Sequence, residues 1–126
     1  MNIVVNKAAD TFHLYNDDIS YIMTVLPNGQ LGQVYFGKKI REREDYSHLV
    51  ETATRPMSSC VFDVDKRFSM EHLRQEYAVF GTSDYRTPAT EVVQKNGSRI
   101  SEFCFRDYRI ESGKPILEGL PATYTE

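Results

Sequence analysis

No stretch of ten residues in this chain places apolar side chains at helical spacing, and that absence constrains the fold more than any motif. The sequence offers alternation broken by turn residues, which is how strands with two unlike faces are spelled. Residues 11–15 alternate, with Phe12 and Leu14 on one side and Thr11, His13 and Tyr15 on the other. Asn16-Asp17-Asp18 is a turn cluster, because short polar side chains bond their own backbone two residues on. Residues 19–26 follow. Ile19, Tyr21, Met23 and Val25 form a wholly apolar face, and Ser20, Ile22, Thr24 and Leu26 a mixed one. A strand of that kind is expected to be covered on both sides. Pro27-Asn28-Gly29 supplies a preset φ and then positive-φ tolerance, a strong turn. Residues 31–36 are the return strand, closed by Gly37, so three strands and two short turns make a meander.

Residues 38–45 are almost all charge and read as a solvated loop or edge. Residues 46–61 have no clean period, and Arg55-Pro56 and Ser58-Ser59 mark them as loop. At most one short helical turn is expected near residues 69–74, with Ser69 as its N-cap and Glu71 in an acidic first turn. Thr87-Pro88 stiffens the entry to a strand over residues 89–95. Asn96-Gly97 then predicts a type I′ hairpin, whose two central residues both need positive φ. The partner strand, residues 98–111, is long. Ile100, Cys104, Tyr108 and Ile110 share one parity while Phe103 and Phe105 take the other, which suggests a bulge or a twist. Ser112-Gly113-Lys114-Pro115 is the next turn. The class is therefore all-β, an antiparallel sandwich by its short connections.

A length of 126 residues fits one domain, residues 1–126. With 15 basic and 18 acidic residues interspersed, no stripe of positive charge exists, which argues against nucleic acid or an anionic membrane as partner. Ile3-Val4-Val5 is too short for a secretory signal, and no run approaches a membrane span. Cys60 and Cys104 are too few for a disulfide scaffold and wrongly spaced for zinc. Two reduced thiols in a cytoplasmic protein are expected.

Candidate chemistry is sparse. His13, His48 and His72 never fall at metal-ligand spacing, so no metal and no cofactor is expected. Asp63-Val64-Asp65 puts two carboxylates on one side of an extended segment, yet lacks the glycine turn and further oxygens of a calcium loop. No serine has a nucleophile elbow, and no glycine run spells a phosphate loop. Tyr35, Phe36, Tyr77, Phe80 and Tyr85 could stack on the apolar faces of sugars, or could fill a core or pack against another domain. Asp84 and Arg86 suit either a loop-orienting pair or a carboxylate contact. From Arg74 onward the strand-and-turn pattern halts at Gly119-Leu120-Pro121-Ala122-Thr123-Tyr124 with nothing to receive it. The function is therefore expected to belong to a larger polypeptide.

An ordered set of short motifs carries a resemblance: Gln75-Glu76-Tyr77, then Gly81-x-x-Asp84-Tyr85-Arg86-x-Pro88-Ala89, Asn96-Gly97-Ser98, Gly113-Lys114-Pro115 and the Gly119 to Tyr124 segment. Phe12-His13-Leu14, Ile19-Ser20-Tyr21 and Val34-Tyr35-Phe36-Gly37-Lys38 precede them. Together they resemble the amino-terminal region of the bacterial α-galactosidases of glycoside hydrolase family 36, over nearly the whole chain and most weakly over residues 39–65. The resemblance implies a fragment of a large β-sandwich (a supersandwich) that precedes a (β/α)8 catalytic barrel. It also implies retaining hydrolysis of terminal α-galactosides such as melibiose and raffinose, by two barrel aspartates about 5–5.5 Å apart. No catalytic residue maps onto this chain, which alone is expected to be inactive, supporting the barrel and a homo-oligomer. In some members a loop of this domain approaches a neighbouring subunit's sugar pocket. Residues 46–55 correspond to it, with Asp45 and Glu51 as the candidates for a substrate-proximal role. Alternatives from other classes are a free-standing carbohydrate-binding module and an oligomerisation domain with no sugar role.

Overall fold

A computed structural model of the chain describes residues 2–54, 65–81, 84–116 and 118–121. The strands are β1 (Asn2–Asn6), β2 (Thr11–Tyr15), β3 (Ile19–Val25), β4 (Leu31–Lys38) and a two-residue β5 (Arg74–Gln75). They form one antiparallel sheet in the order β1-β2-β3-β4-β5. The sheet thus has two strands more than the three-strand meander its sequence suggests, β1 before it and β5 after it. Ile3-Val4-Val5 is the centre of β1, joined to β2 through a turn in which Asp10 takes φ 46°.

Register sorts the side chains. Val4, His13, Ile22 and Tyr35 lie opposite one another along one row; Ile3, Leu14, Tyr21 and Phe36 form the next, on the other face. A register shift between Ile22 and Met23 leaves Val34 as the extra residue of β4. The turn at Pro27-Asn28-Gly29 closes with Gly29 N–H on Leu26 O (2.8 Å) and Leu26 N–H on Gln30 O (2.8 Å), with Gly29 at φ 83°. β4 runs past Gly37 to Lys38 because Gly37 pairs with Ser20 inside the ladder.

The first face, bearing His13 and Ile22, is closed by the chain itself. Leu26 packs with Phe68, Met70 and Leu73, and half-buried Val50 joins them. Gly32 allows this close approach, since a Cβ there would stand 2.8 Å from Leu26 Cγ. Burying a ring such as Phe68, 2% exposed, contributes about 1.5–3 kcal/mol. The second face is crossed by an extended segment in which Phe105 and Tyr108 both reach Phe12, at ring distances of 5.6 and 5.1 Å. These two residues have opposite parity, so the segment turns over between them, as the change of apolar face suggests.

Three expectations are corrected. Residues 69–74 hold no helix: Ser69 Oγ accepts the N–H of Glu71 at 3.4 Å, a local turn, and the chain then enters β5. The one helical turn among the described residues is a 3-10 turn at Ser47–Leu49. Asn96-Gly97 is a turn but not type I′. Gly97 N–H reaches Gln94 O (2.9 Å) and Gln94 N–H reaches Ser98 O (2.9 Å), with positive φ at Gly97 alone. That is a three-residue loop with the glycine as bulge. Its flanks, residues 89–95 and 98–111, are extended without forming strands. The class is all-β and its sheet antiparallel, as expected.

Candidate functional site

The charged run after β4 is held to the sheet at several backbone points. Lys39 N–H donates to Asp18 O (2.7 Å), Ile40 N–H to Ser20 Oγ (3.0 Å) and Arg43 N–H to Tyr46 Oη (2.9 Å). Tyr46 Oη also lies 3.3 Å from Arg41 O and 3.0 Å from His13 Nδ1, while His13 Nε2 lies 2.9 Å from Ser20 Oγ. Ser20, His13 and Tyr46 are all buried. Burial holds His13 below its ordinary pKa against a weaker opposing effect of Glu42. A Ser–His pair invites comparison with a nucleophile and its base, but Ser20 is 0% exposed and no substrate atom could reach its Oγ. The cluster ties structure together.

Past Tyr46 the chain makes the 3-10 turn, with Leu49 N–H on Tyr46 O (2.9 Å) and Val50 N–H on Ser47 O (3.0 Å). Asp45 is exposed at its start. Its carboxylate accepts the hydroxyl (2.6 Å) and the backbone N–H (2.8 Å) of Ser47, which hold it below the usual carboxylate range. Glu51 is exposed at the far side of Val50. The two acids do not share a pocket. Asp45 borders a hollow of about 230 Å³ with Pro27, Tyr46 and Thr52. Glu51 borders another of about 210 Å³ with His72, Leu73 and Arg74, and both hollows rest on Leu26, Val34 and Val50. Both His72 ring nitrogens are buried and unpaired.

Asp84 and Arg86 form a brace. Arg86 Nε and Nη2 donate to the two oxygens of Asp84 (2.8 Å each), Gln75 Nε2 donates to Oδ2 (2.8 Å), and the guanidinium also reaches Leu73 O (3.0 Å) and Glu71 O (3.2 Å). Those bonds, chiefly from Arg86, hold the Asp84 carboxyl below its usual range. Orienting the loop is what this pair does.

The five candidate rings do not make one platform. Phe36 stands edge-on to Tyr21 at 5.8 Å, Phe80 edge-on to Tyr85 at 5.6 Å, and Tyr35 lies on the opposite face with its hydroxyl on Lys38 O (2.9 Å). Tyr77 borders an aromatic cleft of about 340 Å³ with Phe12, Met23, Phe103, Phe105 and Tyr108. The Tyr21 hydroxyl donates to Glu76, and burial with that carboxylate raises its pKa. Cys104 is a free thiol at the surface. Cys60 and Asp63-Val64 lie outside the described residues, as do the loop markers between 55 and 59 and the end of the chain past Pro121. Asp65 is salt-bridged to Arg67 (2.9 Å). Among the described residues no group of three His, Cys, Asp or Glu could hold a metal, and no helix is long and apolar enough to cross a membrane.

The sheet, one face closed and the other overlaid, is that of a β-sandwich region with a charged loop pinned to it. The chain belongs to glycosyl hydrolase family 36, whose N-terminal domain matches residues 29–126. It is 36% identical over 126 residues to alpha-galactosidase AgaA of Geobacillus stearothermophilus, covering 100% of this chain and 17% of that protein. The crystal structure of the alpha-galactosidase from Lactobacillus brevis superposes with a TM-score of 0.87 at 38% identity, over 95% of this chain and 16% of that one. A variant of AgaA crystallised in complex with raffinose gives a TM-score of 0.77 at 38% identity, over 92% of this chain and 16% of its own. The chain thus spans only about a sixth of the length of the relatives it matches.

Proposed function

We propose that this chain is the non-catalytic β-sandwich region of an α-galactosidase, domain 1–126 of a longer polypeptide that cleaves terminal α-galactosides of the melibiose and raffinose type with retention. One observation supports this most: the chain aligns along its whole length with a sixth of such enzymes while leaving large apolar side chains uncovered. Val93, Ile100, Ile110, Ile116 and Leu120 are between 54% and 84% exposed. Isolated exposed aliphatics are ordinary, but five in one run of 28 positions suit a surface that meets a catalytic barrel or a second subunit. In this reading the domain buttresses the barrel and contributes to a cytoplasmic homo-oligomer, and the loop bearing Asp45 and Glu51 stands near substrate.

The test is an assay of the chain alone and of the whole polypeptide on a chromogenic α-galactoside. Background turnover by the chain with hydrolysis by the whole protein is expected. Turnover by the purified chain overturns the non-catalytic assignment, and an inactive whole polypeptide overturns the enzymatic one. Calorimetric titration of the chain with galactose, melibiose and raffinose addresses the module alternative: millimolar-or-tighter binding would favour it.

A further inference from the structure

We propose that His13 is the positioning residue of the loop that carries Asp45 and Glu51, holding it to the sheet through one directed chain of hydrogen bonds; its effect on substrate, though not its geometry, rests on the reading of that loop as substrate-proximal. The direction of the chain follows from counting protons. Ser20 Oγ accepts the Ile40 N–H, which leaves its own proton to donate to His13 Nε2. Tyr46 Oη accepts the Arg43 N–H and has one proton to give, to Arg41 O or to His13 Nδ1; giving it to Arg41 O is the choice that leaves neither Arg41 O nor the Ser20 proton unpartnered. Its remaining lone pair receives the His13 Nδ1–H. Every group in the cluster is satisfied when the imidazole is neutral with its proton on Nδ1. The opposite tautomer would leave the Ser20 proton and Arg41 O without these partners.

The chain fixes the backbone of Ile40, Arg41 and Arg43, a stretch whose charged side chains give it no core of its own. Tyr46 is both the last link and the residue on which the 3-10 turn is built, so its position sets that of Asp45 and Glu51. A second proton on His13 would sit on Nε2, displace the Ser20 proton from its acceptor and place a charge in a buried site. The groups facing the ring are Tyr46 and Glu42 from the loop and Tyr15 on its own strand, 4.9 Å ring to ring, with the Lys39 ammonium 5.2 Å over Tyr15. Its cross-strand neighbours, Val4 and Ile22, do not titrate. The loop is therefore held best above the histidine's unfolded pKa of about 6.5 and loosened as the medium acidifies below it.

The experiment follows amide hydrogen exchange at Ile40 and Arg43 in the whole polypeptide between about pH 7.5 and 5, corrected for intrinsic rates, and the kinetics of the same samples. Wild type should lose about tenfold or more protection at the acid end. His13→Asn, which keeps a donor towards Tyr46 but cannot titrate, should show a flat profile, and Tyr46→Phe should exchange fast at every pH. A flat wild-type profile, or an unchanged pH response in His13→Asn, overturns the proposal. For substrate, Tyr46→Phe should raise KM several-fold (about 3–10) with kcat within about twofold. Faster exchange with unchanged KM would uphold His13 as the loop's anchor and overturn the substrate-proximal reading instead.

Discussion

Two turns in this molecule are nearly the same object. At Gly29 and at Gly97 the chain closes a three-residue loop with the same pair of hydrogen bonds, and both glycines sit at φ 83°. The first joins β3 to β4 in a sheet whose one face is closed by Phe68, Met70 and Leu73. The second joins two extended segments that make no ladder and expose Val92, Val93, Ile100 and Phe103. Turn geometry is the same in the two places, so it is not what separates them. The difference lies in neighbours: a strand becomes one when an adjacent backbone and a covered face are supplied; β1 to β4 pair with one another, and Phe68, Met70 and Leu73 cover one of their faces. The described residues of 89–121 form no such ladder.

The largest test of this contrast is Phe68→Ala. It empties the centre of the closed face and should cost about 3–5 kcal/mol by denaturant unfolding; a loss below 1 would mean that this face is no core. Next is the brace at its rim. Asp84 is 4% exposed but Arg86 is partly in water, so Asp84→Asn should cost about 2 kcal/mol at neutral pH. Because the folded carboxyl binds its proton less readily than the unfolded one, this contribution is whole above about pH 3.9. It is lost as pH falls from there through the folded value. The unfolding profile of Asp84→Asn should lack that acid step. Smallest is Ile110→Ser on the open arm, within about 0.5 kcal/mol in the chain alone. In the whole polypeptide the same change should cost about 1 kcal/mol or more if the arm is covered there, and an equal effect in both would refute a buried role.

The sequence and the structure part company for the same reason. Alternation located Thr11–Tyr15 to the residue, and Ile19–Val25 to within one, because cross-strand pairs enforce a period of two wherever a sheet exists. It overshot on residues 98–111, where the pattern is present and the partner is not. It passed over β1, since Ile3-Val4-Val5 is too short to declare a period without β2 beside it. From the residues alone the candidate loop was legible only as charge and irregularity, and it was the resemblance that singled out Asp45 and Glu51. His13 and Tyr46 are 33 positions apart and meet through an irregular loop, which no spacing rule reports. Asp84 and Arg86, two residues apart, were readable as a pair because their contact is local.

The tip at Gly29 has a role beyond closing its hairpin. Phe105 N–H donates to Gly29 O at 2.7 Å, and a Cβ on Gly29 would stand 3.6 Å from Cys104 Sγ, so the later segment docks on the tip of the earlier hairpin. The contact predicts an order of assembly, the amino-terminal meander before the crossing segment, which pulse-labelled hydrogen exchange would show as protection of β2 to β4 ahead of Phe105. A chain emerging slowly from its synthesis would have the landing site ready when Phe105 arrives.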